Sequence, residues 1–160
     1  MSSRQRSAVS QQRGWWLNLV LALVIGAALV FAPRVMDGMA ALAWVRHFVK
    51  QGPAPRGAGE QAQKAGRFAA RVIDRTAPLP MAGTAARLAL DLGRNIEPAD
   101  PAAALVLYTR VREALGRARG SRVRGFGLEG LASEAATLEQ QARVRALQGS
   151  ATPPDISKTP

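Results

Sequence analysis

The sequence predicts an all-α protein in which a single apolar, membrane-spanning helix precedes a small bundle of helical hairpins. Three observations carry that fold class. Residues 15–32 (WWLNLVLALVIGAALVFA) run for 18 positions without a charge. As a helix rising about 1.5 Å per residue they cover roughly 27 Å, close to the ~30 Å hydrocarbon thickness of a bilayer. Downstream, apolar residues recur at helical spacing in several further segments, and no alternating strand of useful length interrupts them. Composition agrees, because 48% of the 160 residues are apolar and only 5% aromatic. Packing then falls to Ala, Leu and Val, and an Ala- and Leu-rich, aromatic-poor chain favours helices.

The elements follow in order. Residues 1–14 form a basic segment with Arg4, Arg6 and Arg13. The span occupies 15–32, with Trp15 and Trp16 at its start, where indole rings favour the headgroup boundary. A cleavable signal peptide shares this pattern of basic segment and apolar core. Here Pro33 directly follows the small-residue ending at Val30 and Ala32, which disfavours cleavage, so an uncleaved anchor is expected. Within it Ala22 and Gly26 form a small-xxx-small pair at which a second copy of the helix can pack.

Residues 33–50 keep an amphipathic stripe at Val35, Met39, Leu42, Val45 and Val49, with Trp44 and Phe48 on another face. Asp37 and Arg46 make this stretch too charged for a second crossing. It reads either as a helix at the membrane surface or as one packed on the downstream domain, with Pro33 as a kink or first-turn residue. Residues 51–59 (QGPAPRGAG) read as a linker.

The helical domain spans 60–147. Residues 60–77 place Ala62, Ala65, Phe68, Ala69, Val72 and Ile73 on one side, and residues 82–96 do the same with Ala85, Leu88, Ala89, Leu92 and Ile96. Asp100 before Pro101 is a helix start, a side-chain cap followed by a proline at the first position. It opens residues 101–118, with Leu105, Tyr108, Val111 and Leu115 inward. Residues 128–147 carry Leu128, Leu131, Ala135, Leu138 and Ala142, with Glu139 and Arg143 as an i, i+4 pair. The tail, 148–160, has the composition of a disordered segment.

In the two middle helices, Ala89, Leu92, Gly93 and Ile96, then Ala104, Tyr108 and Val111, resemble the pattern of a tetratricopeptide helical hairpin. In that family small residues let paired helices approach and an aromatic fills the gap. The resemblance covers one repeat, residues 89–111. The turn is one residue shorter than the family's, and Gly116 stands where the family has its closing proline. It implies a groove-forming interaction module, with Leu105, Tyr108 and Val111 as partner-binding residues.

The net charge of +11 invites a nucleic-acid reading until it is located. Residues 1–33 and 34–59 carry +3 each and flank the apolar stretch, leaving +5 for residues 60–147. The densest cluster is Arg110, Arg112, Arg117, Arg119, Arg122 and Arg124, opposed only by Glu113. Such a cluster can neutralise the phosphates of anionic lipid or the charges of an acidic polymer. No aromatic ladder is interleaved with it, which disfavours nucleic acid.

Chemistry is sparse. With no cysteine and one histidine, His47, thiolate metal sites and cysteine nucleophiles are excluded. Residues 125–130 (GFGLEG) spell a G-x-G-x-x-G. The strand that should precede a dinucleotide fingerprint and the acidic residue that should follow it are both missing. No pair of carboxylates is marked as a buried acid and base.

The expected function is therefore non-enzymatic, without cofactor or metal. The chain reads as a membrane-anchored helical interaction module, an accessory or assembly subunit of a membrane or periplasmic complex, with membrane lipid and protein partners. The alternative is a tethered module that grips anionic lipid or acidic polymer through residues 110–124. A short amino terminus retained in the cytoplasm is the commoner arrangement, so the expected location is a bacterial inner membrane with the C-terminal domain in the periplasm.

Overall fold

The computed structural model describes the backbone of residues 3–53, 57–77, 79–120 and 128–150, and the side chains of 15–53, 57–77, 79–118 and 128–148. Five helices account for it: α1 (Ser3–Gln51), α2 (Ala58–Thr76), α3 (Pro80–Ile96), α4 (Pro101–Gly120) and α5 (Leu128–Ser150). No strand occurs among the described residues. The chain divides into two compact units, Met1–Met36 and Asp37–Pro160.

The first unit is helical throughout its described residues, and Pro33 lies inside α1. The side chains of residues 15–34 are all exposed, including Trp15, Leu17, Leu23, Leu29 and Phe31. Within Trp15–Gln51 lies the one window, among the described residues, that is long and apolar enough to cross a membrane, and none of that window is buried.

The second unit takes in residues 37–51, which the sequence separates from the helical domain by a linker. Leu42, Val45 and Val49 of the amphipathic stripe pack inward as drawn, whereas Met39 is exposed and its place is taken by Gly38 and Ala41. Small residues carry little hydropathy signal, so the true buried face, rotated by about one position, is hard to see. Close approach explains it: a Cβ on Gly38 would overlap Cγ2 of Thr76 on α2. Of the linker, Gln51 closes α1 and Ala58 opens α2, and residues 54–56 lie outside the described residues. Gly52 and Gly57 take left-handed φ values of 72° and 93°, a conformation glycine adopts without penalty. The Gln61 side-chain amide donates to the Gly52 carbonyl at 2.7 Å.

The remaining helices start and stop for local reasons. α2 ends where Ala77 turns extended and Pro80 opens α3. The α3–α4 turn is closed by Asp100, whose Oδ1 accepts from the Ala103 N–H at 2.8 Å. That is the capping geometry expected of Asp-Pro. α4 is central, contacting α2, α3 and α5, while α2 and α3 also pair.

The core is unusual in its small side chains, since more than half of its buried apolar residues are alanine. Alanine faces bring helix axes toward the short end of the usual 8–10 Å. Larger groups fill what remains: Ile73, Leu90, Leu92, Ile96, Leu107 and Tyr108 are fully buried, each aliphatic one stabilising by about 1.5–3 kcal/mol relative to exposure.

Candidate functional site

The partner-binding residues suggested by the hairpin pattern lie inside the fold. Tyr108 and Val111 are 0% exposed, and Leu105 is partly buried against the core. Tyr108 and Val111 hold α4 to its neighbours and present no open surface, whereas Leu105 keeps part of its side chain exposed. Tyr108 sits over Gly93, where a Cβ would stand 2.8 Å from Cζ of the ring. Its hydroxyl donates to Glu97 Oε2 at 3.1 Å, and Arg145 of α5 donates to Glu97 Oε1 at 2.8 Å. Glu97 is only 6% exposed, so these two donors satisfy a carboxylate that would otherwise be costly to bury. Burial, reinforced by the adjacent Glu97 carboxylate, pushes the Tyr108 phenol well above its ordinary value.

The three described members of the arginine cluster, Arg110, Arg112 and Arg117, are directed to different partners. The stem of Arg110 lies against Gly66 of α2. Arg112 pairs with Glu139, which Arg143 also reaches at 3.2 Å. Arg117 forms a two-pronged contact with Asp74 of α2, at 3.2 and 3.1 Å. These arginines join α4 to α2 and α5, Arg112 and Arg117 through acids and Arg110 through its packed stem. Arg122 and Arg124, together with the first two glycines of GFGLEG, lie outside the described residues, as does the side chain of Arg119. Of the membrane residues, Trp15 and Trp16 are exposed and meet edge to face, and the space around a Cβ on Gly26 is open. Ala22 is exposed beside it.

Sequence reasoning missed a second cluster, built where α1 crosses α2. Trp44 stacks on Phe68 with centroids 5.7 Å apart and planes at 11°, and Phe48 lies 6.3 Å from the same ring. His47 sets its edge against Trp44 at 5.8 Å. On α2, Lys64, Arg67 and Arg71 follow at helical spacing on the same side, with the Arg71 guanidinium 5.8 Å over the Phe68 ring. Together they enclose a shallow hollow of about 460 Å³ whose lining contains no acidic residue. The signal for it was divided between two segments, Trp44–Phe48 and Phe68–Arg71, that only the tertiary fold brings together.

Among the described residues no group of three or more His, Asp or Glu side chains converges as metal ligands would. In comparisons with known proteins, no family model, no curated protein and no solved structure matches this chain.

Proposed function

We propose that this chain is a single-pass membrane protein whose small helical body acts by binding, as an accessory or assembly subunit of a membrane complex, and not by catalysis. The observation that carries this reading is the exposed, uncharged face of residues 15–32. Eighteen such residues left in water are unfavourable at about 25 cal/mol per Å² of apolar surface, and a bilayer removes that cost. A cleaved signal sequence passes the same test of length and composition, and Pro33 weighs against it.

The body supports the binding role through its architecture. The seating of Tyr108 over Gly93, with Ala89 and Ala104 buried, favours a tetratricopeptide-like hairpin for α3–α4. Docking would then use outer faces, such as Val144 and Leu147 on α5, 52% and 67% exposed, instead of Leu105, Tyr108 and Val111. A bacterial inner membrane with the body in the periplasm remains the orientation favoured by the short basic amino-terminal segment.

The test is to solubilise membranes in mild detergent and purify the full chain with its neighbours. A stoichiometric protein partner, lost on Val144→Asp/Leu147→Asp, is the expected result. Recovery of the chain without one, or its extraction from membranes by alkaline carbonate, overturns the proposal. Reporter enzymes fused after Gly149 decide the orientation.

A further inference from the structure

We infer that the aromatic and basic hollow between α1 and α2 is a seat for anionic phospholipid headgroups, which lays this face of the body on the bilayer surface. The inference rests on the membrane-anchored reading above and adds a specific contact to it. Three features point to this occupant.

The first is charge. Arg67 and Arg71 are exposed and a turn apart, and no carboxylate lines the hollow. The two acids of α2 are engaged elsewhere, Glu60 by Lys64 at 2.6 Å and Asp74, three residues beyond Arg71, by Arg117 of α4 at 3.1 Å. Among the described residues neither the Arg67 nor the Arg71 guanidinium is paired with a carboxylate, and such groups suit phosphate, which they bind through paired N–H donors. The contrast with Arg112 and Arg117, each matched to an acid, is direct.

The second is the aromatic floor. Trp44 is 50% exposed although it stacks on Phe68, leaving an indole with an apolar body and a polar N–H at the surface. That is the side chain enriched at the boundary between hydrocarbon and headgroups. Rings beneath cations match the layering of a bilayer surface, acyl edge below phosphate.

The third is tether length. Trp44 follows the end of the apolar stretch, Ala32, by twelve residues. Even a fully extended chain spans at most ~3.5 Å per residue, so no path takes Trp44 further than about 40 Å from that point. The local concentration of lipid headgroups is therefore always high, and a weak individual site is sufficient.

The experiment uses the full chain with Trp15→Phe and Trp16→Phe, which leaves Trp44 as the only indole. It is reconstituted in nanodiscs of phosphatidylcholine alone, or of phosphatidylcholine and phosphatidylglycerol in equal parts, with brominated acyl chains as fluorescence quenchers. Strong Trp44 quenching is expected in the anionic discs. It should fall to the neutral-disc level in about 1 M NaCl, where the Debye length is roughly 3 Å, and in Arg67→Glu/Arg71→Glu, with helix content by circular dichroism unchanged. The salt arm needs no variant, so misfolding of the charge reversal cannot mask the answer.

A chain held in the discs whose Trp44 stays unquenched overturns this inference and leaves the anchor standing. Equal quenching in both lipids, indifferent to salt and to Arg67 and Arg71, also overturns it, because the face would then be held by apolar contact alone. A chain that fails to float with the discs overturns the anchor and this inference together.

Discussion

Gly93 and Tyr108 interlock: the glycine leaves a gap on α3 that the tyrosine ring of α4 occupies so closely that a Cβ would stand 2.8 Å from its Cζ. Gly93→Ala gains about 1 kcal/mol of helix propensity and loses about 1–3 kcal/mol to overpacking against a ring that has no room to move. A net destabilisation of order 1 kcal/mol is expected in urea denaturation. In a Tyr108→Leu background most of that loss should vanish, and a double-mutant cycle measures the coupling. Additive effects would show that the two positions are independent.

Tyr108 also gives the body an alkaline limit. It is the chain's single tyrosine, and burial, then Glu97, raise its phenol above the ordinary value near 10. The folded state binds this proton more tightly than the unfolded state does. Its contribution is therefore complete below about pH 10 and declines as pH rises beyond that. Urea midpoints should fall between about pH 9.5 and 11 in the parent and stay flatter in Tyr108→Phe. Ultraviolet absorbance showing phenolate near pH 10 with helices intact would contradict this.

The contact between Gly38 and Thr76 makes a third prediction. A methyl group at position 38 would collide with Thr76 Cγ2, while the Thr76 hydroxyl donates to the Val72 carbonyl at 2.7 Å. Gly38→Ala is expected to cost about 1–3 kcal/mol. Gly38→Ala/Thr76→Ser removes the obstructing methyl, keeps the hydroxyl and should recover most of the loss. Thermal denaturation of the two variants is sufficient to check it.

Charge reversal at Arg117 should act on stability before it acts on any ligand. Its partner Asp74 is 40% exposed and Arg117 itself 56%, so the pair is worth no more than about 1 kcal/mol. Arg117→Glu is expected to lower the unfolding midpoint by that order, and Asp74→Arg/Arg117→Glu to restore it. Failure of the swap to rescue would mean that Arg117 matters for something other than α2.

A charge placed in the apolar stretch tests the anchor. Arginine at the centre of a spanning helix costs about 2.5–3.5 kcal/mol in insertion, so Val24→Arg should move the chain toward the alkaline-extractable fraction. Val144→Arg, at a comparably exposed position on α5, should leave the fractionation unchanged.

Much of the fold was legible in the chain. Apolar periodicity located α2 to α5 to within about three residues, and the Asp100–Pro101 start was placed correctly because capping is a local event. What stayed hidden depends on partners far apart in sequence. Gly38 and Ala41 line a buried face but contribute almost no hydropathy. The Arg117–Asp74 and Arg145–Glu97 contacts join residues 43 and 48 positions apart. The aromatic hollow needs Trp44 and Phe68 side by side, and no spacing rule within either helix announces that. Conversely, Tyr108 and Val111 follow a docking pattern in sequence and lie in the interior in space.

The alanine core changes which kinds of damage this body can suffer. Most interiors fail by excavation, when a large side chain is trimmed and a void remains. Here a great part of the interior is already at its minimum size, so there is little left to trim. An alanine also surrenders no rotamer freedom on folding, which lets shallow burial suffice. The vulnerability is therefore to wedges: at most buried alanine positions almost every replacement is an enlargement, and tolerance is set by how far two backbones can be forced apart.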